Sequence, residues 1–141
     1  MRLRLFLGVL TMCMAAATVS QAETMRFATH LTGASEVPPN DTTGTGDVDA
    51  TLDTASNQFS YTVTYSGLTG PAVAAHFHGP AGPGVNAPPV ITVAPLESPM
   101  KGTATLTAPQ NADLTSGKWY FNIHTAAHPG GEIRGQLAQA Q

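Results

Sequence analysis

The sequence predicts an all-β protein: one antiparallel Greek-key sandwich or barrel of about seven to nine strands, following a cleaved signal peptide. Three observations predict it. Short runs alternate apolar and polar residues with period two, Gly and Pro punctuate them throughout, and beyond residue 22 no long helical pattern occurs. At 141 residues the chain has room for a single domain.

The first 22 residues read as an export signal. Arg2 and Arg4 form a positive start, Leu5 to Val19 is an uncharged, mostly apolar run, and Ser20-Gln21-Ala22 offers small residues where a signal peptidase cuts. The run is shorter than the roughly 20 residues that a membrane-crossing helix needs. The expected location is therefore the periplasm or the cell exterior, with cleavage near Ala22 and no membrane span. The single cysteine, Cys13, falls inside this signal. Met12 directly before it and the apolar run after it argue against lipidation.

Residues 23–141 form the expected domain. Arg26, Lys101, Lys118 and Arg134 face nine acidic residues, a net charge of about −5 with neutral histidines. No basic stripe remains to follow phosphates, which argues against nucleic acid or an anionic membrane as a partner. Without cysteine, stability must come from a buried core, and a domain of this length can build one.

Taken in order, Met25–Leu31 is the first candidate strand. Ser35 to Asp41 is a loop, because Pro38 and Pro39 lack the N–H a ladder needs. Val48, Ala50 and Leu52 alternate with Asp47, Asp49 and Asp53, whose carboxylates read as a solvated face. Phe59, Tyr61, Val63 and Tyr65 alternate with Ser60, Thr62 and Thr64, giving the clearest strand, one face buried and one wet. Val73–His78, Val90–Val93, Thr103–Leu106, Trp119–Thr125 and Glu132–Leu137 follow. Between the fourth and fifth strands, Gly79 to Pro89 is so rich in Gly and Pro that it reads as a rigid surface loop. Glu132 and Arg134 share a strand face and are expected to pair at the surface.

The residues that carry chemistry are histidines. His76 and His78 share one face of a strand, about 6.5–7 Å apart, while Val73, Ala75 and Phe77 take the other, with Phe77 expected in the core. In Trp119 to Thr125, the core face is Trp119, Phe121 and Ile123, which puts Tyr120, Asn122 and His124 on the other side. His128 follows in a turn set by Pro129-Gly130-Gly131. If the two strands are neighbours, His76, His78 and His124 converge, with His128 a possible fourth member. Neutral imidazoles are common ligands of copper and zinc, and a three-histidine set with an open position suits either. The bland alternative is that these rings cap sheet edges and bind loop carbonyls. His30, without a partner in the sequence, reads as structural. No nucleophile elbow, phosphate loop or His-Glu-X-X-His motif is present.

Three ordered motifs resemble the chordin-type domain, CHRD. They are Leu31-Thr32-Gly33-Ala34-Ser35-Glu36-Val37-Pro38-Pro39, then Ala75-His76-Phe77-His78-Gly79-Pro80-Ala81, and last Asn122-Ile123-His124-Thr125 with Pro129-Gly130-Gly131-Glu132-Ile133-Arg134-Gly135-Gln136-Leu137. The likeness runs from about Phe27 to Leu137. It implies an extracytoplasmic β-sandwich, superoxide-dismutase-like or immunoglobulin-like, as in bacterial exported proteins and the repeated domain of animal chordin, and no agreed activity. Chordin's growth-factor binding belongs mainly to cysteine-rich modules that this chain lacks. A fainter likeness is to copper–zinc superoxide dismutase, which also carries a His-X-His pair outside a Greek-key barrel and a late Gly-rich segment with an arginine. By that analogy Arg134 would steer an anionic substrate. This chain has neither the long zinc loop nor the cysteine pair, so such an enzyme would be copper-only.

Three readings follow. The first is an exported domain that binds a transition metal, copper favoured over zinc, through His76, His78, His124 and His128. The second is a copper-only, dismutase-like enzyme. The third is a metal-free structural module that holds another exported protein.

Overall fold

The computed structural model describes residues 22–141. The expected signal segment and Cys13 lie outside the described residues, save for Ala22. Among the described residues nine strands form one sheet: β1 Thr24–Thr32, β2 Thr45–Asp53, β3 Gln58–Ser66, β4 Ala72–His78, β5 Pro89–Thr92, β6 Met100–Thr105, β7 Tyr120–Thr125, β8 Ile133–Gln136 and β9 Ala138–Ala140. Their spatial order is β5-β4-β7-β8-β1-β2-β3-β6, with β9 on β1, and all pairings are antiparallel. The sheet curls into a nearly closed barrel. β3 lies beside β6 rather than β4, and β4 beside β7, so connections cross between its two halves in Greek-key fashion.

The period-two pattern sets this arrangement. Val48, Ala50 and Leu52 of β2 and Phe59, Tyr61 and Val63 of β3 face the interior, and the register places Val48 opposite Val63 and Leu52 opposite Phe59. A one-residue slip of either strand would expose its three inward side chains. At the centre, Phe77 of β4 packs on Phe59, Tyr61 and Phe121, with ring centroids 5.2, 5.0 and 4.7 Å apart, and Trp119 closes the cluster 5.7 Å from Phe59.

Two elements escaped the sequence reading. α1, Ala108–Thr115, is held by a capping box between Thr107 and Gln110 with Pro109 in its first turn, and it buries only Leu114. That signal is legible in the sequence, but one buried residue leaves no apolar periodicity to notice. β9 adds three residues to β1 after the expected last strand. Among the described residues no helix is long and apolar enough to cross a membrane.

Two further expectations need correction. The outer face of β4, β7 and β8 is not wet: Tyr120, Asn122, His78 and Arg134 are buried beneath the Gly79–Pro89 loop and the Gly33–Pro39 segment. Nor do Glu132 and Arg134 form a surface pair. Glu132 is fully buried and accepts hydrogen bonds from Thr42, Thr69 and Thr125, while Arg134 bonds the loop at Val85 and Asn86. The alternation predicted the correct face, but loops cover that face, and composition does not reveal what a loop will cover.

Candidate metal centre

The sheet register builds the site. β4 and β7 are neighbours, with His76 opposite Asn122, His78 opposite Tyr120 and Ala74 opposite His124. His76 and His124 are therefore diagonal neighbours on the face away from the core, a separation that aromatic rings span. The expected convergence occurs. His76 Nδ1 lies 3.2 Å from His124 Nε2, and each of His76, His78 and His124 offers one ring nitrogen within 4.8 Å of the others.

The outer ring nitrogens fix the inner ones. His124 Nδ1 donates to the carbonyl of Pro129 at 2.9 Å, and His78 Nδ1 donates to the carbonyl of Ala87 at 2.8 Å. A neutral imidazole holds one N–H, so His124 Nε2 is left as a lone pair facing His76. His76 Nδ1–H then donates to His124 Nε2. Backbone carbonyls holding the distal nitrogen are the usual support of metal-ligating histidines. Nitrogens sharing a metal at about 2.0–2.1 Å would stand roughly 3.3–3.6 Å apart; the 3.2 Å edge between His76 and His124 is a hydrogen bond a little shorter than that, and the group as a whole spans up to 4.8 Å.

His78 carries a further signal. Its Nε2 lies 3.0 Å from Asn122 Oδ1, so both nitrogens face oxygen acceptors. A neutral ring satisfies only one of them. The ring therefore donates to one of the two acceptors, or carries a second proton and donates to both. Burial, foremost, with His124 and Arg134 nearby, lowers the His78 pKa despite both hydrogen bonds, and burial with the neighbouring His124 and His78 lowers that of His76. These two rings therefore resist protonation.

His128 lies half-buried in the turn after β7, and the three-histidine group does not include it. Its backbone amide and carbonyl instead shape the turn that presents Pro129, through bonds with Thr125 and Gly131. Arg134 is 2% exposed and turned into the loop. Its guanidinium lies 3.4 Å from the centroid of Tyr120, and Tyr120 stacks on His78 at 4.6 Å and 4°.

The sequence reading assigned no role to Tyr120, Asn122 or Glu36. The first two were already placed on the histidine face by alternation. Glu36 arrives from a loop, and nothing in the sequence signals that. Glu36 is 4% exposed; burial pushes its carboxyl up to about 7, partly offset by Arg134 and by hydrogen bonds from Asn122 and Val37. His30, expected to be structural, pairs with Asp47 at 2.8 Å on the exposed surface of β1 and β2.

The CHRD domain family matches residues 27–137. The chain belongs to the CHRD domain family. All three histidines, both covering segments and Arg134 fall within the matched CHRD region. No curated protein and no solved structure matches the chain.

Proposed function

We propose that this CHRD domain is exported and binds one transition-metal ion, copper favoured over zinc, through His76, His78 and His124. The observation that carries the reading is the convergence of three imidazoles, two of them with Nδ1 tied to a backbone carbonyl. An all-imidazole set without carboxylate or thiolate suits copper and zinc, and divalent copper binds such sites more tightly than zinc. The half-buried edges of His76 and His124 leave a side from which an ion can enter. His76 would contribute a ring nitrogen after its N–H moves to the other position.

Isothermal titration of the metal-stripped domain with copper tests the reading. About one equivalent should bind per chain at pH 7.5, with affinity at least tenfold weaker at pH 5.5, where protons compete for the imidazoles. A His76→Ala/His78→Ala double variant should lose that uptake. Stoichiometry and affinity unchanged in the double variant would exclude these ligands.

A further inference from the structure

Arg134 sits one strand away from the histidine strands, yet it is joined to the cluster by an unbroken set of contacts. Nη1 donates to Asn86 Oδ1 at 2.9 Å and Nη2 to the Val85 carbonyl at 2.6 Å, so the guanidinium grips two consecutive loop residues. Its flat face covers Tyr120, whose other face lies against His78. The Tyr120 hydroxyl meets the next loop residue twice, accepting from Ala87 N at 3.1 Å and donating to Ala87 O at 3.2 Å. That same Ala87 carbonyl receives the His78 Nδ1–H. Gln136 secures the start of the loop by donating to the Ala81 carbonyl at 2.8 Å.

We infer that Arg134 is a positioning residue for the metal centre: by clamping Val85 and Asn86 and backing Tyr120, it holds the Ala87 carbonyl 2.8 Å from His78 Nδ1, where it outcompetes Asn122 Oδ1, 3.0 Å from Nε2, for the N–H of the neutral ring. This rests on the metal-binding reading for its purpose, but not for its geometry. The loop itself is an exposed run of Pro and Gly with few other side-chain anchors, and Val85 is 56% exposed. Lysine would not replace Arg134. An ammonium is a point donor that cannot grip two acceptors in a fixed fork while lying flat on an aromatic ring.

Two measurements test it. Two-bond proton–nitrogen correlation spectra of the metal-free domain at pH 7.5 report the His78 tautomer, and copper titration reports affinity. The wild type should show mainly the Nδ1–H form. Arg134→Lys should show a larger share of the Nε2–H form and about tenfold weaker copper binding, the lower end of the effect usual for groups supporting a metal ligand. Asn86→Ala, at an exposed loop position, removes one of the two anchors without touching the core. It should move both readouts in the same direction by a smaller factor, and it stands in if Arg134→Lys does not fold. An Nδ1–H share equal to that of wild type, with copper affinity within twofold of it, in the folded variants would overturn the inference. A wild type that binds no copper would sink the metal reading, while the tautomer comparison would still decide the role of Arg134.

Discussion

Replacing Glu132 by Gln tests how the barrel holds its loops. The carboxylate is fully buried. Oε1 accepts from Thr42 Oγ1 at 2.6 Å and from Thr69 N at 2.8 Å; Oε2 accepts from Thr125 Oγ1 at 2.6 Å and from Thr69 Oγ1 at 2.8 Å. It thus ties the β1–β2 and β3–β4 connections to the end of β7, beside His124. Burial alone would raise its pKa, but hydrogen bonds from Thr125, Thr42 and Thr69 outweigh burial and lower it to about 2. In Glu132→Gln the side-chain oxygen can stay with Thr69 N and Thr42, because a backbone N–H cannot accept. The new amide N–H groups then face two hydroxyls, which can turn to accept. What is lost is charge assistance in four bonds, each about 1 kcal/mol stronger than its neutral counterpart. Allowing for non-additivity, the loss should be about 2–4 kcal/mol, a large share of the stability of roughly 5–15 kcal/mol typical of such domains.

Urea denaturation of wild type and variant, followed by Trp119 fluorescence, measures this. The sign of the pH dependence follows from the lowered pKa. The ionised Glu132 contributes fully above its unfolded value near 4.5, and the contribution fades as pH falls towards about 2. The wild type's advantage should therefore be constant from pH 7 to 5 and shrink between pH 4.5 and 2. A difference below about 0.5 kcal/mol at pH 7, unchanged at pH 3, would refute the reasoning.

Two further predictions concern the packing beneath the histidines. A Cβ on Gly79 would lie 2.5 Å from Trp119 Cδ1 and 3.0 Å from the Lys118 carbonyl. Trp119 is fully buried and has no room to retreat, so Gly79→Ala should cost more than about 2 kcal/mol in urea denaturation and, being next to His78, weaken copper binding. An unchanged midpoint and affinity would mean that the contact relaxes freely. Phe77→Ala empties the space between Phe59, Tyr61 and Phe121 and should cost about 3–5 kcal/mol by the same assay; a loss under 1 kcal/mol would show that the barrel collapses around the gap.

The sequence by itself determined the all-β class, most of the strands and the side of the sheet each histidine takes. The reason is physical: side chains alternate across a strand, so Phe77 inward sends His76 and His78 outward, and Phe121 with Ile123 does the same for His124. Alternation is silent on two other matters. It did not dictate that β4 pairs with β7, forty-odd residues away, since neighbour choice depends on how loops close and which faces pack. Nor did it say what covers a face. The Gly79–Pro89 loop turned a surface expected to be wet into a lidded one, burying Arg134 and Tyr120 and supplying the Ala87 carbonyl to His78. Likewise Glu132, read as half of a surface pair, became a buried anchor because three threonines from distant segments meet there. Only the tertiary structure decided these, since hydrogen-bond partners far apart in the chain are chosen by packing and leave no periodic trace in the residues.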